Sequence, residues 1–279
     1  MLLIKNAYIL TMTGELPYIG YCLIEPPLIR LAGPGEPPPE IEAMPALKVI
    51  DAGRSWLLPG LIDAHCHVGL INDGLAAEGD DGNETTDPVS PHLRAIDGVF
   101  QDDVCFAEAL ENGITSVVTG PGSANVLAGS FSLLRTAGRT VEAMTVSPCT
   151  AIKASFGENP KRVYGQKEKT PATRMAIAAV LRDALLKASE YRDEKNRKAA
   201  DDKASFSHDS RWQALLPVLA GDVPLKVHAH RTDDILTAIR IANEFGLRYT
   251  LDHCTEGYLI ADLLAAERSE EHTSELQSR

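Results

Sequence analysis

Positive charge is in short supply. The 279-residue chain carries 27 Lys and Arg against 39 Asp and Glu, a formal net charge of −12. It lacks the basic field that supplies most of the affinity for a phosphate backbone, which excludes nucleic acid as a partner. Cysteine is sparse and scattered: Cys22, Cys66, Cys105, Cys149 and Cys254 form no CxxC pair and are odd in number. That speaks against a disulfide framework and fits reduced thiols. No apolar run approaches the roughly 18 residues of a membrane span. The start, MLLIKNAYIL, has no basic segment ahead of a long apolar one and no small-residue cleavage site. The expectation is a soluble, cytoplasmic protein with no membrane partner. Apolar residues make up 44%, enough for one sizeable core or a domain with an appendage.

The texture changes near residue 57. Before it, LLIKNAYILTM, GYCLIEPPLIRLAG and LKVIDAG predict short strands. The proline-rich PGEPPPEIEAMP predicts no regular structure, because its prolines remove donors and fix φ. After residue 57, WLLPGLIDAHCH reads as a buried-type strand, followed by a long loop rich in Gly, Asp and Asn. Residues 101–112 predict a helix with Gly113 just past its end. ITSVVTGPG, SFSLLRTAG and VEAMTVSP are strand-like, and TPATRMAIAAVLRDALLKASEYRDEKNRKAADDKA is a long helix whose stretch 190–204 is a solvated extension. VPLKVHAH, TDDILTAIRIANEFG and LRYTLDHCTEG then read strand, helix, strand, with Gly246 as helix stop and YLIADLLAAE opening another helix. This alternation predicts a parallel α/β sheet.

The histidines carry the chemistry. His65 and His67 are two apart on a strand and so share a face. His228 and His230 repeat that spacing, and His253 ends YTLDH. Five of the eight histidines thus fall at three strand C-termini, the functional edge of barrels and open parallel sheets. Imidazole nitrogens on one mouth are ligands for Zn²⁺, with a coordination position left for water. The other three, His92, His208 and His272, lie in a loop, a polar linker and the tail, and carry no role. The loop 72–92 is acidic (Asp73, Glu78, Asp80, Asp81, Glu84, Asp87). It is either a recognition loop favouring cationic or neutral substrates over phosphorylated ones, or a solvated connection.

VIDAGRSWLLPGLIDAHCH, coming after a small β-domain, resembles the amidohydrolase superfamily in its imidazolonepropionase-like branch. GITSVVTGPG resembles that family's second barrel strand, and VHAH and LDH stand where its strand-five and strand-six histidines fall. The resemblance covers about residues 1–267. It implies a (β/α)8 TIM-like barrel of amidohydrolase type, incomplete at about six strands, over 58–267, with part of a small β-sandwich at 1–57. It implies one or two divalent metal ions, zinc foremost, with His65 and His67 as strand-one ligands. His228 is the preferred strand-five ligand, His230 an outer or alternative one, and His253 the strand-six ligand. Two-metal members add a bridging carboxylate or carboxylated lysine from a middle strand, for which AIKASFGENPKRVYG offers Glu158 and Lys153. Glu158 either ligates from a Gly-Glu-Asn-Pro turn or caps that turn, and Lys153 is either a ligand or a surface residue. Lys161 and Arg162 either hold a substrate carboxylate or are solvated.

The implied reaction is hydrolysis of a C–N bond in an amide, cyclic amide or dipeptide, a small-molecule substrate. A bound zinc ion brings the pKa of its water toward about 7. The family's general base is an aspartate at the end of strand eight, which has no counterpart here, so no catalytic residue is assigned. Asp252, next to His253, is expected to point to the opposite face. One alternative is a deaminase of the same superfamily, although VHAHRTDD supplies Asp233 and Asp234 where deaminases carry a glutamate. The other is a non-catalytic metal-binding protein. Residues 268–279, RSEEHTSELQSR, resemble a translated sequencing adapter rather than biological sequence. On that expectation this chain is a fragment without activity of a parent whose homo-oligomerisation is open.

Overall fold

The computed structural model describes residues 1–199, 205–267 and 270–272. The chain divides into two units, Met1–Leu61 and the part from Ile62 onward. In the first, strands β1 (Leu2–Ile9), β2 (Tyr18–Glu25) and β3 (Leu28–Pro34) precede a one-turn helix α1 (Pro39–Glu42) and strands β4 (Lys48–Asp51) and β5 (Trp56–Leu57). β1 is central, antiparallel to β2 and parallel to β4 and β5, while β3 pairs antiparallel with β2. The helical turn interrupts a stretch expected to be irregular. Pro39 sits at its start, where a missing N–H costs nothing, and Ile41 is drawn into the core with Leu3, Tyr21 and Leu23. Leu28, Ile29 and Leu31 of β3 and Val49 and Ile50 of β4 stay exposed.

The second unit is built on a seven-stranded sheet. Its strands are β6 (Leu61–Cys66), β7 (Ile114–Thr119), β8 (Leu127–Arg135), β9 (Thr145–Ser155), β10 (Leu225–Ala229), β11 (Tyr249–His253) and β12 (Glu270–His272), neighbours in chain order. Its helices are α2 (Val104–Glu111), α3 (Val141–Met144), α4 (Glu158–Gly165), α5 (Arg174–Ala199), α6 (Ser210–Gln213), α7 (Leu216–Leu219), α8 (Thr232–Phe245) and α9 (Ala261–Glu267). β9 to β12 are parallel, but β8 runs antiparallel to both β7 and β9. The all-parallel expectation fails there for want of chain. Residues 120–126 and the short link containing α3 cannot make the dozen-residue crossover that parallel neighbours need. The same link explains why VEAM is helical rather than extended: the Thr140 side chain caps it by accepting from Ala143 N–H at 3.2 Å. The solvated extension assigned to 190–204 is helical as far as Ala199, and residues 200–204 lie outside the described ones.

Alternation sorts the two faces of this sheet. Ile152 and Ala154 of β9, Leu225, Val227 and Ala229 of β10, and Leu251 of β11 join Ile177, Leu181 and Leu185 of α5 and Ile235 and Ile239 of α8 in one core. Their sheet neighbours Lys153, Lys226, His228 and Asp252 therefore face the other way, and all four are buried. β6 and β11 are five strand spacings apart, roughly 24 Å in a flat sheet. Yet His65 Nδ1 lies 3.1 Å from Asp252 Oδ2. The sheet must curl until its far strands face each other across the interior. Among the described residues no helix is long and apolar enough to cross a membrane. The adapter-like stretch 268–279 lies outside the described residues except for the β12 backbone.

Candidate metal centre

Five imidazoles meet inside the curl. Ring centroids are 5.4 Å apart for His65 and His67, 5.1 Å for His65 and His253, and 4.7 Å for His228 and His253. His230 is 4.7 Å from His228 and 5.2 Å from His253. Ligand atoms of Glu158, His228 and His230 all lie within 4.8 Å of one another. Every residue proposed from the sequence as a metal ligand thus converges on one region. His92 and His208 lie apart from it: His92 borders a separate cavity, and His208 Nδ1 stands 3.4 Å from the Tyr191 hydroxyl. The side chain of His272 is outside the described residues.

Burial favours the neutral form of four of these rings, His65, His67, His228 and His253, and the neutral form is the one that ligates metal. Burial is the main cause that lowers the pKa of His65, His67, His228 and His253, and nearby cationic groups, Lys153 among them, add to it for all four. The values fall to about 2 for His228 and about 4 for His253. The ring orientations follow from their partners. His67 Nδ1–H donates to the Gly120 carbonyl at 2.7 Å, which leaves the Nε2 lone pair for another use. His230 Nδ1 meets Thr255 Oγ1 at 2.6 Å, and Asn159 Nδ2 approaches His228 Nε2 at 3.1 Å while donating to Ser123 Oγ at 2.7 Å. His65 Nδ1 and Nε2 and His228 Nδ1 are buried without a hydrogen-bond partner, since the approach of Asp252 to His65 is close but off line. A neutral imidazole offers one lone pair, and a ring with no hydrogen-bond partner for it, as His65 is, is what a divalent cation satisfies, so the residues present fit one.

Two sequence expectations change here. Asp252 does not face away from His253, for both side chains reach His65. Strand alternation ends where the backbone turns left-handed, with φ of +71° at His253 and +45° at Cys254. That turn swings His253 back over the interior. Glu158 is not in an irregular turn but is the first residue of α4, after Gly157 at φ +82°. It is half exposed, with Oε1 4.0 Å from His230 Nε2.

Lys153 is fully buried, not on the surface. Its Nζ lies 3.5 Å from Asp252 Oδ2 and 5.5 Å from the centre of the Phe131 ring. Burial lowers its pKa to about 8, against the pull of Asp252. Lys226 also went unnoticed in the sequence, though it lies two residues before His228 and so had to share that buried face. Its Nζ donates to Asp252 Oδ1 at 2.8 Å. For Asp252 burial pushes the carboxyl up, but His65, Lys153 and Lys226 together outweigh it and hold the group well below the usual range. The acidic loop packs beside the site: Gly122 N–H donates to the Gly82 carbonyl at 2.7 Å, two residues past the carbonyl that holds His67. With Asp97 and Arg94, the loop residues Asp80, Asp81 and Glu84 line a cavity of about 480 Å³.

Comparison with known proteins places this geometry in a family. No family model matches the chain. A solved amidohydrolase from Thermotoga maritima MSB8 is 37% identical and superimposes with a TM-score of 0.93, covering 100% of this chain and 71% of that one. The chain belongs to the amidohydrolase superfamily. Among curated relatives, Amidohydrolase tasK of Hapsidospora irregularis is 29% identical over 77% of this chain and 24% of its own length. Imidazolonepropionase of Methylobacterium sp. (strain 4-46) is 24% identical over 87% of this chain and 62% of its own length. The chain therefore spans about a quarter and under two thirds of these two relatives.

Proposed function

We propose that the chain holds a divalent metal, zinc foremost, in a site whose chemistry suits hydrolysis of a C–N bond in an amide, cyclic amide or dipeptide. The observation that carries this is the meeting of five imidazoles, two of which, His65 and His228, have buried ring nitrogens with no hydrogen-bond partner. His65, His67, His228, His230, His253 and Glu158 would hold one or two ions. A divalent ion held there supplies Lewis acidity toward the carbonyl and a water acidified toward about pH 7. The chain's own residues set the geometry. His67 keeps its proton on Nδ1 against Gly120 and presents Nε2. Asp252, charged and 3.1 Å from His65 Nδ1, favours the proton on that nitrogen and turns Nε2 toward the interior. Lys226 neutralises Asp252, so the carboxylate orients a ligand rather than competing for the ion. The curled sheet is read as part of the wall of a (β/α)8 barrel, acting on a small molecule in the cytoplasm.

Deamination is the weaker reading. It needs a free carboxylate soon after the strand-five histidines, and both aspartates there are engaged. Arg174 Nε and the second terminal nitrogen of its guanidinium grip Asp234 at 2.9 and 3.0 Å, and Asp233 is held by Arg231 at 3.0 Å. The decisive experiment is metal analysis of the purified chain together with turnover on amide, cyclic amide and dipeptide panels. Bound zinc near stoichiometric amounts, lost in His65→Ala and His228→Ala, is the expected result, and any turnover should be lost with it. Metal-free protein after zinc loading would refute the centre, and stoichiometric zinc with no hydrolysis would favour a non-catalytic binder.

A further inference from the structure

Glu158 stands in two places at once. It joins His228 and His230 in the candidate centre, and it lines a cavity of about 430 Å³ with Lys161, Arg162, Gly165, Gln166 and Ala172. That volume is in the range of small-molecule sites, about 300–1,000 Å³. Lys161 and Arg162 follow Glu158 by three and four positions on α4, the spacing of helical ion pairs. Neither pairs with it, or with any other carboxylate among the described residues. On neighbouring α5 the cations Arg174, Arg182, Lys187 and Lys198 each hold an acid. A cavity lined by two unmatched cations and, from the same helix, a candidate metal ligand suits an anion close to a reacting carbonyl.

We infer that this cavity binds a carboxylate of the substrate, held by Lys161 and Arg162, and that the substrates are N-acyl amino acids or dipeptides with a free carboxylate next to the scissile bond. The inference rests on the C–N hydrolase reading above. The dimensions agree: side chains one helical turn apart have Cβ atoms about 5–6 Å from each other, and a carboxylate one residue beyond a carbonyl is about 4 Å from it. Arg162 offers a planar fork that matches a carboxylate, and Lys161 adds a compact charge.

The test uses the zinc-loaded full chain and two probes, N-acetylglycine and N-acetylglycinamide, which differ only in carboxylate against carboxamide. Calorimetry should show the acid binding roughly 10- to 100-fold more tightly than the amide, the worth of one or two charge-assisted hydrogen bonds. The double variant Lys161→Met, Arg162→Met should erase that preference at unchanged zinc content and melting temperature. On cleaved substrates it should raise KM for the acid and not for the amide. Equal binding of acid and amide to the parent chain overturns the proposal, and so does a preference that survives the double substitution, which would mean the carboxylate sits on the ion. Failure of the hydrolase reading looks different: no probe is cleaved, yet the acid still binds preferentially and loses that preference in the double variant.

Discussion

At Asp252 three groups compete for one buried carboxylate. Lys226 takes Oδ1 at 2.8 Å, and His65 and Lys153 share Oδ2 at 3.1 and 3.5 Å. Removing the charge strands two lysines in the interior, and breaking a buried pair in this way costs about 3–5 kcal/mol. Asp252→Asn should therefore lower the unfolding free energy by that order in urea titrations, and should weaken zinc binding through loss of the His65 orientation. Lys226→Met in the same background should recover part of the stability but not the zinc affinity. A variant as stable as the parent would show that Asp252 is not the counter-charge described. The histidine cluster was legible in the sequence, because paired spacing at strand ends is a local pattern. That His253 would share the interior with Asp252 was not, because its direction depends on left-handed backbone at His253 and Cys254, which no side-chain type there announces. Lys226 was legible in principle by counting two back from His228, but a lysine in a strand reads as solvent-facing by default.

Strand β8 shows what the pattern of elements conveys and what it does not. The existence of most strands and of α2, α5 and α8 follows from periodicity and stop signals. Gly246, for one, closes α8 in the left-handed conformation at φ +63°. Strand direction follows instead from linker length, and the short links on either side of β8 force it antiparallel. Gly157 is the element-level feature with the sharpest consequence. Its φ is +82°, and a Cβ there would come within 2.7 Å of Asp234 Oδ2, the carboxylate that Arg174 grips from α5. Gly157→Ala should cost about 1–3 kcal/mol in strain. It should also displace Glu158, seen as weaker zinc binding by competition with a chromogenic chelator. Undisturbed affinity and stability would show that the turn tolerates an ordinary residue.

For the molecule as a whole, acid is the expected weakness. In the metal-free chain His253 and His228 protonate only near pH 4 and pH 2, whereas in the unfolded chain they take up protons near 6.5. The unfolded state thus binds more protons below about pH 6.5, and stability falls as pH drops through that window. Asp252, depressed from 3.8, acts in the same direction at lower pH. Urea midpoints in EDTA should decline from pH 7 to pH 5, and a flat profile would contradict neutral burial of the rings. Solubility is a second molecule-level expectation. Leu28, Ile29 and Leu31 on edge strand β3 are 56%, 69% and 43% exposed, an apolar strip on an open edge. Light scattering should show concentration-dependent association that Ile29→Lys with Leu31→Lys suppresses.

The closing of the sheet on itself has a further meaning for chain entropy. His65 and His253 lie near opposite ends of the second unit's sequence, and their rings come within 5.1 Å. A cation shared between them would act as a removable cross-link around most of that unit, tying a loop longer than small proteins usually bridge with cystine. Loop-closure cost grows only slowly with length, roughly as its logarithm. Because the ion binds the closed chain and not the open one, its concentration alone would set how tightly that loop is fastened.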